Sequence, residues 1–187
     1  MSNKNYHIDL EQETIKAIKA LKKGSAEAFQ ILYKKYNQKV YRFCLRMVSH
    51  EAIAKDAFQE TFMKVYENRK NFRGENFAAW LFTIARHTCL NHLRAKKDHD
   101  EYDEAYHSKS ITKHSDVALK DLIEQSIKQL PIQLREVIIL REYEEYSYQE
   151  IANILNIELS LAKVRVHRAR KILRTVLKPV VKELNES

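Results

Sequence analysis

The segment SYQEIANILNIELSLAKVRVHRARKILR, residues 147–174, constrains the fold more than any other part of the chain. Ser147 and Glu150 have the spacing of a capping box, in which each side chain satisfies an orphan backbone N–H. Ile151, Ala152, Ile154 and Leu155 then give a short helix one apolar face. It stops at Asn156, a residue that tolerates the left-handed backbone of a tight exit. Beyond Ile157-Glu158-Leu159, Ser160 has the chemistry of an N-cap for a second helix. That helix lines up Ala162, Val166, Ala169, Leu173 and Val176 on one stripe, at steps of four and three residues. Lys163, Arg165, His167, Arg168, Arg170, Lys171 and Arg174 cover its other faces, while Glu150 and Glu158 lie outside it. Two short helices joined tightly, the second strongly basic, form the pattern of a helix-turn-helix that enters the major groove.

Only two Gly and two Pro punctuate the 187 residues, which leaves little room for hairpin turns and predicts an all-α protein. The net charge of +8 favours nucleic acid or another anionic surface as partner. No apolar run reaches bilayer length, and the polar start MSNKNYHIDLEQ is not a signal peptide. The expectation is a cytoplasmic chain without membrane insertion. Cys44 and Cys89 are too few for a disulfide framework and read as reduced, helix-borne thiols, Cys44 as a small buried apolar residue.

Taken in order, the periodicity predicts helices from Leu10 to Lys23, Ala26 to Val48, Glu51 to Lys70 and Phe77 to Lys97. In the third, Ile53, Ala57, Phe58, Phe62 and Val65 face inward, while Asp56, Gln59 and Glu60 share an exposed side. In the fourth, Leu81, Ile84, Ala85 and Thr88 form the inner stripe, and Arg86, His87, Leu90 and Arg94 point away from it. Residues 1–95 thus read as one helical bundle. Residues 96–115 are polar and aperiodic, with Asp98, Asp100, Glu101, Asp103 and Glu104 together, and read as a flexible acidic linker. Residues 116–187 read as a second, four-helix domain: one helix to Leu130 before Pro131, another from Leu134 to Arg141, then the helix-turn-helix.

These features together resemble a bacterial RNA polymerase sigma factor of the extracytoplasmic-function group, in the sigma-70 family. Asp56-Ala57-Phe58-Gln59-Glu60-Thr61-Phe62 is similar to that family's D-L-V-Q-E-T-F segment. Phe72-Arg73-Gly74-Glu75, Trp80-Leu81, Ile84-Ala85-Arg86 and His92-Leu93-Arg94 resemble its F-R-G-E, W-L, I-A-R and H-L-R run. Leu130-Pro131, Arg135-Glu136-Val137 and Ser147 to Ala152 match the opening of its second domain, and Lys163, Arg165 and His167 to Arg170 its end. Asn156 stands where the family usually has Gly, Ser160-Leu161-Ala162 where Gly-Thr-Val is common, and Phe77-Ala78-Ala79 where Phe-x-Thr is usual. These departures bear on promoter specificity rather than on activity.

The resemblance implies that the first domain binds the clamp of core RNA polymerase through Asp56, Gln59 and Glu60. It also implies that Phe72, Arg73, Gly74, Glu75, Asn76, Arg86, Asn91 and Arg94 meet the minus-ten element. The loop 72–76 reads either as the holder of an unstacked base or as an ordinary interhelical turn. The second domain would bind the minus-thirty-five element. Ser160, Leu161, Lys163, Val164, Arg165, His167 and Arg168 are offered to base edges, with Leu161 and Val164 either touching thymine methyls or edging the core. Arg170, Lys171 and Arg174 suit phosphates. The acidic linker reads as a mimic of nascent RNA or as a spacer. An anti-sigma factor is a further partner that the family implies. His87, Cys89 and His92 are too dispersed around a helix to converge on one ion, and no nucleophile-base set or phosphate loop stands out. No metal, cofactor or catalytic activity is therefore expected. The competing readings are a free-standing helix-turn-helix regulator and a nucleic-acid-processing enzyme, the latter lacking clustered carboxylates for metal ions.

Overall fold

The computed structural model describes residues 2–73, 76–99 and 115–185, and every regular element there is helical. The first half comprises α1 (Ser2–Lys22), α2 (Ala26–Val48), α3 (Glu51–Glu67) and α4 (Phe77–His99), with a 3-10 turn at Arg69–Asn71. The second half comprises α5 (Ser115–Gln129), α6 (Ile132–Glu142), α7 (Tyr148–Leu155) and α8 (Leu159–Asn185). Gly24, at φ 92°, allows the tight exit from α1, and the Ser25 hydroxyl caps α2 by accepting from the Ala28 N–H. α4 extends through His99 into the expected linker. Residues 100–114, with most of the acidic cluster, lie outside the described residues, as do Gly74 and Glu75.

An aromatic stack joins α2 to α3. Phe29 and Tyr33 meet Phe62 edge-on at ring separations of 6.2 and 4.8 Å, and Phe58 meets Phe62 at 5.3 Å. Such pairs add roughly 0.5–1.5 kcal/mol each beyond their burial. Ile53, Phe58 and Ile84 are only half-buried, at the edge of the core rather than inside it. Cys44 and Cys89 meet as free, buried thiols, and the hydrogen bond with Cys44, reinforced by burial, pushes the Cys89 thiol well above its usual range.

The two halves share one continuous core. Phe82, which the inner stripe of α4 does not include, is fully buried because α4 is covered on two sides. Its ring lies 5.2 Å from Phe43 of α2 and 5.4 Å from Tyr146 of the α6–α7 loop. Arg46 of α2 stacks over Tyr143 at 3.9 Å, and the Arg135 guanidinium of α6 donates to the Met47 carbonyl of α2 at 2.9 Å.

Glu144, buried on the same seam, has its carboxyl pushed up to about 7 by burial, with Glu145 adding to the rise and Lys39, Arg42 and Arg46 opposing it. A raised acid holds its proton more tightly folded than unfolded. Its contribution is complete below the ordinary value of 4.5 and is lost as pH rises through about 7. Between about pH 5 and about pH 8, the wild type should lose about 2 kcal/mol relative to Glu144→Gln, after allowance for residual solvent contact. Urea midpoints at the two pH values, read by helical circular dichroism, check this; parallel pH profiles would count against the buried proton.

Candidate nucleic-acid interface

The helix-turn-helix forms as its local chemistry dictates. The Ser147 hydroxyl accepts from the Glu150 N–H at 3.2 Å, and the Glu150 carboxylate accepts from the Ser147 N–H at 2.8 Å. The bond from the Ser147 N–H foremost, with those from the Ser147 hydroxyl and the Asn76 amide, holds the Glu150 carboxyl below its ordinary range. Asn156 adopts φ 52° and ψ 55°, the left-handed exit that its side chain tolerates. Helix α8 begins at Leu159, two residues earlier than a cap at Ser160 implies. The Glu158 carbonyl accepts the first helical bond, from Ala162 N–H, so Ser160 stands in the first turn and does not cap it.

On α8, Ala162, Val166 and Ala169 are fully buried, and Ser160, Leu161, Lys163, Val164, His167, Arg168, Arg170 and Lys171 are exposed. Leu161 at 39% and Val164 at 44% exposure belong to the outer face, not to the core edge. Val176, expected on the buried stripe, is 42% exposed, because the 27-residue α8 outruns the 11-residue α6 beneath it. Arg170 folds back on Glu142 at 2.6 Å.

Arg165 departs from the groove-facing place expected of it. Its side chain is only 16% exposed and its Nη1 lies 3.6 Å from Glu136 Oε1. Position 165 is three residues after Ala162, so it shares the inward side of α8, where Glu136, 1% exposed, needs a counter-charge. Arg86 of α4 supplies a second one, with Nε at 2.7 Å and Nη2 at 3.3 Å from the two carboxylate oxygens.

The residues assigned to the minus-ten element are dispersed. Phe72 is buried, its ring 5.6 Å from Phe77 and 5.2 Å from Trp80, with the Lys22 ammonium above it. Arg73, Asn91 and Arg94 are exposed. The Asn76 side chain caps α4 by accepting from the Ala79 N–H at 2.9 Å and donates to Glu150 at 3.3 Å. Beside this loop lies a cavity of about 280 Å³ that periodicity does not reveal, bounded by Lys64, Asn68, Trp80, Ile84, His87 and Thr88. The Thr88 hydroxyl there is buried with no hydrogen-bond partner, and desolvation, then the Arg86 charge, keeps the His87 imidazole below its ordinary value.

On α3, Asp56 and Gln59 are exposed, whereas Glu60 turns toward α4, bonding Lys64 at 2.5 Å and His92 Nε2 at 2.8 Å. The Lys64 bond is the main cause that holds its carboxyl below the ordinary range. Next to Gln59, the rings of Phe29, Tyr33, Phe58 and Tyr66 line an open groove of about 580 Å³.

Residues 32–99 match the family model of Sigma-70 region 2, and residues 120–173 that of Sigma-70 region 4. The chain is 33% identical to the RNA polymerase sigma-H factor of Pseudomonas aeruginosa, covering 92% of this chain and 98% of that one. It is likewise 33% identical to the ECF RNA polymerase sigma factor SigW of Bacillus subtilis, covering 90% and 99%. The chain belongs to the extracytoplasmic-function sigma factors. Sigma factor RpoE of Bartonella quintana, solved in complex with the anti-sigma factor NepR, superposes with a TM-score of 0.69 at 26% identity, over 82% of this chain and 98% of that one. CnrH, solved with the cytosolic domain of CnrY, shares the fold at a TM-score of 0.71 and 20% identity, over 89% and 97%.

As a sigma factor, this chain binds core RNA polymerase, recognises promoter DNA and promotes strand opening. Relatives that span both halves do not favour a free-standing regulator. Among the described residues, no helix is long and apolar enough to cross a membrane.

The Glu136 cluster of this sigma factor sets a stability prediction. Glu136→Ala leaves two guanidiniums facing a buried gap, and breaking such a buried pair costs about 3–5 kcal/mol. Urea denaturation should show that loss in the helical signal. A cost below about 1 kcal/mol, that of an exposed pair, would contradict the burial.

Proposed function

We propose that promoter recognition is divided between residues 1–95 and residues 116–187, with residues 96–115 as the tether. The observation that carries this reading is the outer face of α8, where Leu161 and Val164 are exposed beside Lys163 and Arg168. That combination suits a major groove carrying thymine methyls and base acceptors in the minus-thirty-five element. Ser160 and His167 border the same face, and Lys171 and Arg174 suit phosphates. Arg170 reaches a phosphate only on leaving Glu142, and Arg165 acts on DNA only on leaving Glu136.

For the minus-ten element, the base-capturing site proposed is the Trp80 cavity rather than the side chain of Phe72, which supports Trp80 from beneath. Trp80 offers a stacking plane, and neutral His87 and Thr88 offer donors and acceptors for a base edge. Arg73, Asn76, Asn91 and Arg94, which do not line the cavity, are the proposed strand contacts beyond it. Asp56 and Gln59, beside the aromatic groove, are the proposed contacts for the polymerase clamp, with Glu60 bracing α3 against α4. The chain works in the cytoplasm, where core polymerase is, and leaves phosphodiester chemistry to that enzyme. An anti-sigma factor, of the general kind bound to RpoE of Bartonella quintana, is the further partner proposed.

The test uses core polymerase, the full chain and a promoter selected from its own genome. Leu161→Asp should abolish closed-complex binding. Trp80→Ala should leave closed-complex binding within about threefold yet lose most permanganate reactivity of unpaired thymines, because a captured base offsets the few kcal/mol of unstacking. A pre-melted template should restore initiation to Trp80→Ala and not to Leu161→Asp. Equal loss of closed complexes in both variants would refute the division of labour.

A further inference from the structure

The end of α1 and the 3-10 turn carry a patch of positive charge that the proposed function uses only at Arg73. Residues 17–24 and 68–73 contain no acid, and between them they hold Lys19, Lys22, Lys23, Arg69, Lys70 and Arg73. Gly24, at φ 92°, brings the end of α1 against the turn. Its carbonyl accepts from the Tyr66 hydroxyl at 3.4 Å, and a side chain at that position would touch the Arg69 guanidinium. The Lys22 ammonium stands 5.1 Å from the centre of the Phe72 ring, and that ring lies 5.2 Å from Trp80. The patch therefore begins one ring away from the cavity proposed to capture a base.

Arg69 is occupied as a strut, donating to the Tyr66 carbonyl at 2.7 Å and stacking on that ring at 4.4 Å. Lys19, Lys23, Lys70 and Arg73 are exposed, and none has an ion pair among the described residues. The dipole of α1 accounts for lysines in its last turn. It does not account for Lys70 and Arg73, which bring further positive charge from another element. Nor does it account for Lys19 standing one helical turn from both Lys22 and Lys23, where like charges repel. An anion bridging the two elements relieves both. We propose that Lys19, Lys22, Lys23 and Lys70 form a phosphate track for the unpaired promoter strand as it leaves the Trp80 cavity downstream. The proposal rests on the base-capture reading of that cavity. Upstream of it the promoter stays duplex toward the minus-thirty-five element, so a strand that continues unpaired runs the other way. Lysine holds phosphate as a point charge on a flexible stem, without the fixed geometry that reads a base. The track therefore grips the backbone of any sequence, while the cavity selects the base.

The test uses holoenzyme assembled from core polymerase and the full chain, with two promoter templates. Both keep the duplex upstream of the minus-ten element and leave the captured strand unpaired. That strand ends at the minus-ten element in the short template and continues unpaired downstream in the long one. The triple variant Lys19→Gln, Lys23→Gln, Lys70→Gln should bind the short template within about twofold of wild type and the long template at least about tenfold more weakly. Each contact to a single strand contributes a salt slope of about −0.7, so the slope for the long template should flatten by about 2. Arg at the same three positions keeps the charges and should restore wild-type binding. Trp80→Ala should weaken both templates.

Unchanged affinity and salt slope of the Gln variant on the long template overturn the track. An equal loss on both templates also overturns it, as does a folded Gln variant that no longer assembles with core polymerase, because either result gives the lysines another role. If Trp80→Ala weakens neither template while the Gln variant still loses the long one, the track stands and the cavity reading falls instead.

Discussion

A buried carboxylate between two guanidiniums is the constraint on which this architecture turns. Glu136 is 1% exposed and sits in α6, where an unpaired charge would be prohibitively costly. Arg165 satisfies it from α8 and thereby locks the recognition helix onto its own domain. Arg86 satisfies it from α4 and thereby binds the first half to the second. One side chain thus governs both the pose of the DNA-reading helix and the relation of the halves.

The rest of the seam follows from that placement. With Arg86 drawn to α6, Phe82 comes under Tyr146, Arg46 over Tyr143, and α7 against α4. The contacts are mixed in chemistry, with one aromatic plug ringed by hydrogen bonds and cation–π pairs. Mixed seams of this kind suit domains that separate, whereas a permanent interface is larger and more apolar. The outer surfaces of α3 and α8, where the proposed polymerase and duplex DNA contacts lie, remain open.

What the sequence disclosed was what depends on near neighbours in the chain. The capping box at Ser147, the left-handed Asn156 and the Ala162–Val166–Ala169 stripe are each decided within a few residues, and all three formed. Phe82 was illegible because its burial comes from a loop more than sixty residues away, and one-face periodicity has no account of a helix covered twice. Arg165 misled for the same reason: a basic residue on a DNA-reading helix looks outward until the buried acid opposite is known. The Trp80 cavity arises where α3, the 3-10 turn and α4 fail to close, and no spacing rule marks such a gap. Ser160 was a two-residue error of helix onset, set by the Glu158 carbonyl.

The central claim is that Arg86 is held by Glu136 in the free chain, and the Arg86 Nε–H reports on it directly. With its donor 2.7 Å from a buried carboxylate, that proton should exchange slowly with water and resonate apart from those of exposed arginines such as Arg168. Nuclear magnetic resonance of arginine Nε–H groups at neutral pH measures both properties. The account predicts a slowly exchanging Arg86 signal in the free chain. An Arg86 signal that exchanges as fast as that of Arg168 before any DNA is added would contradict it.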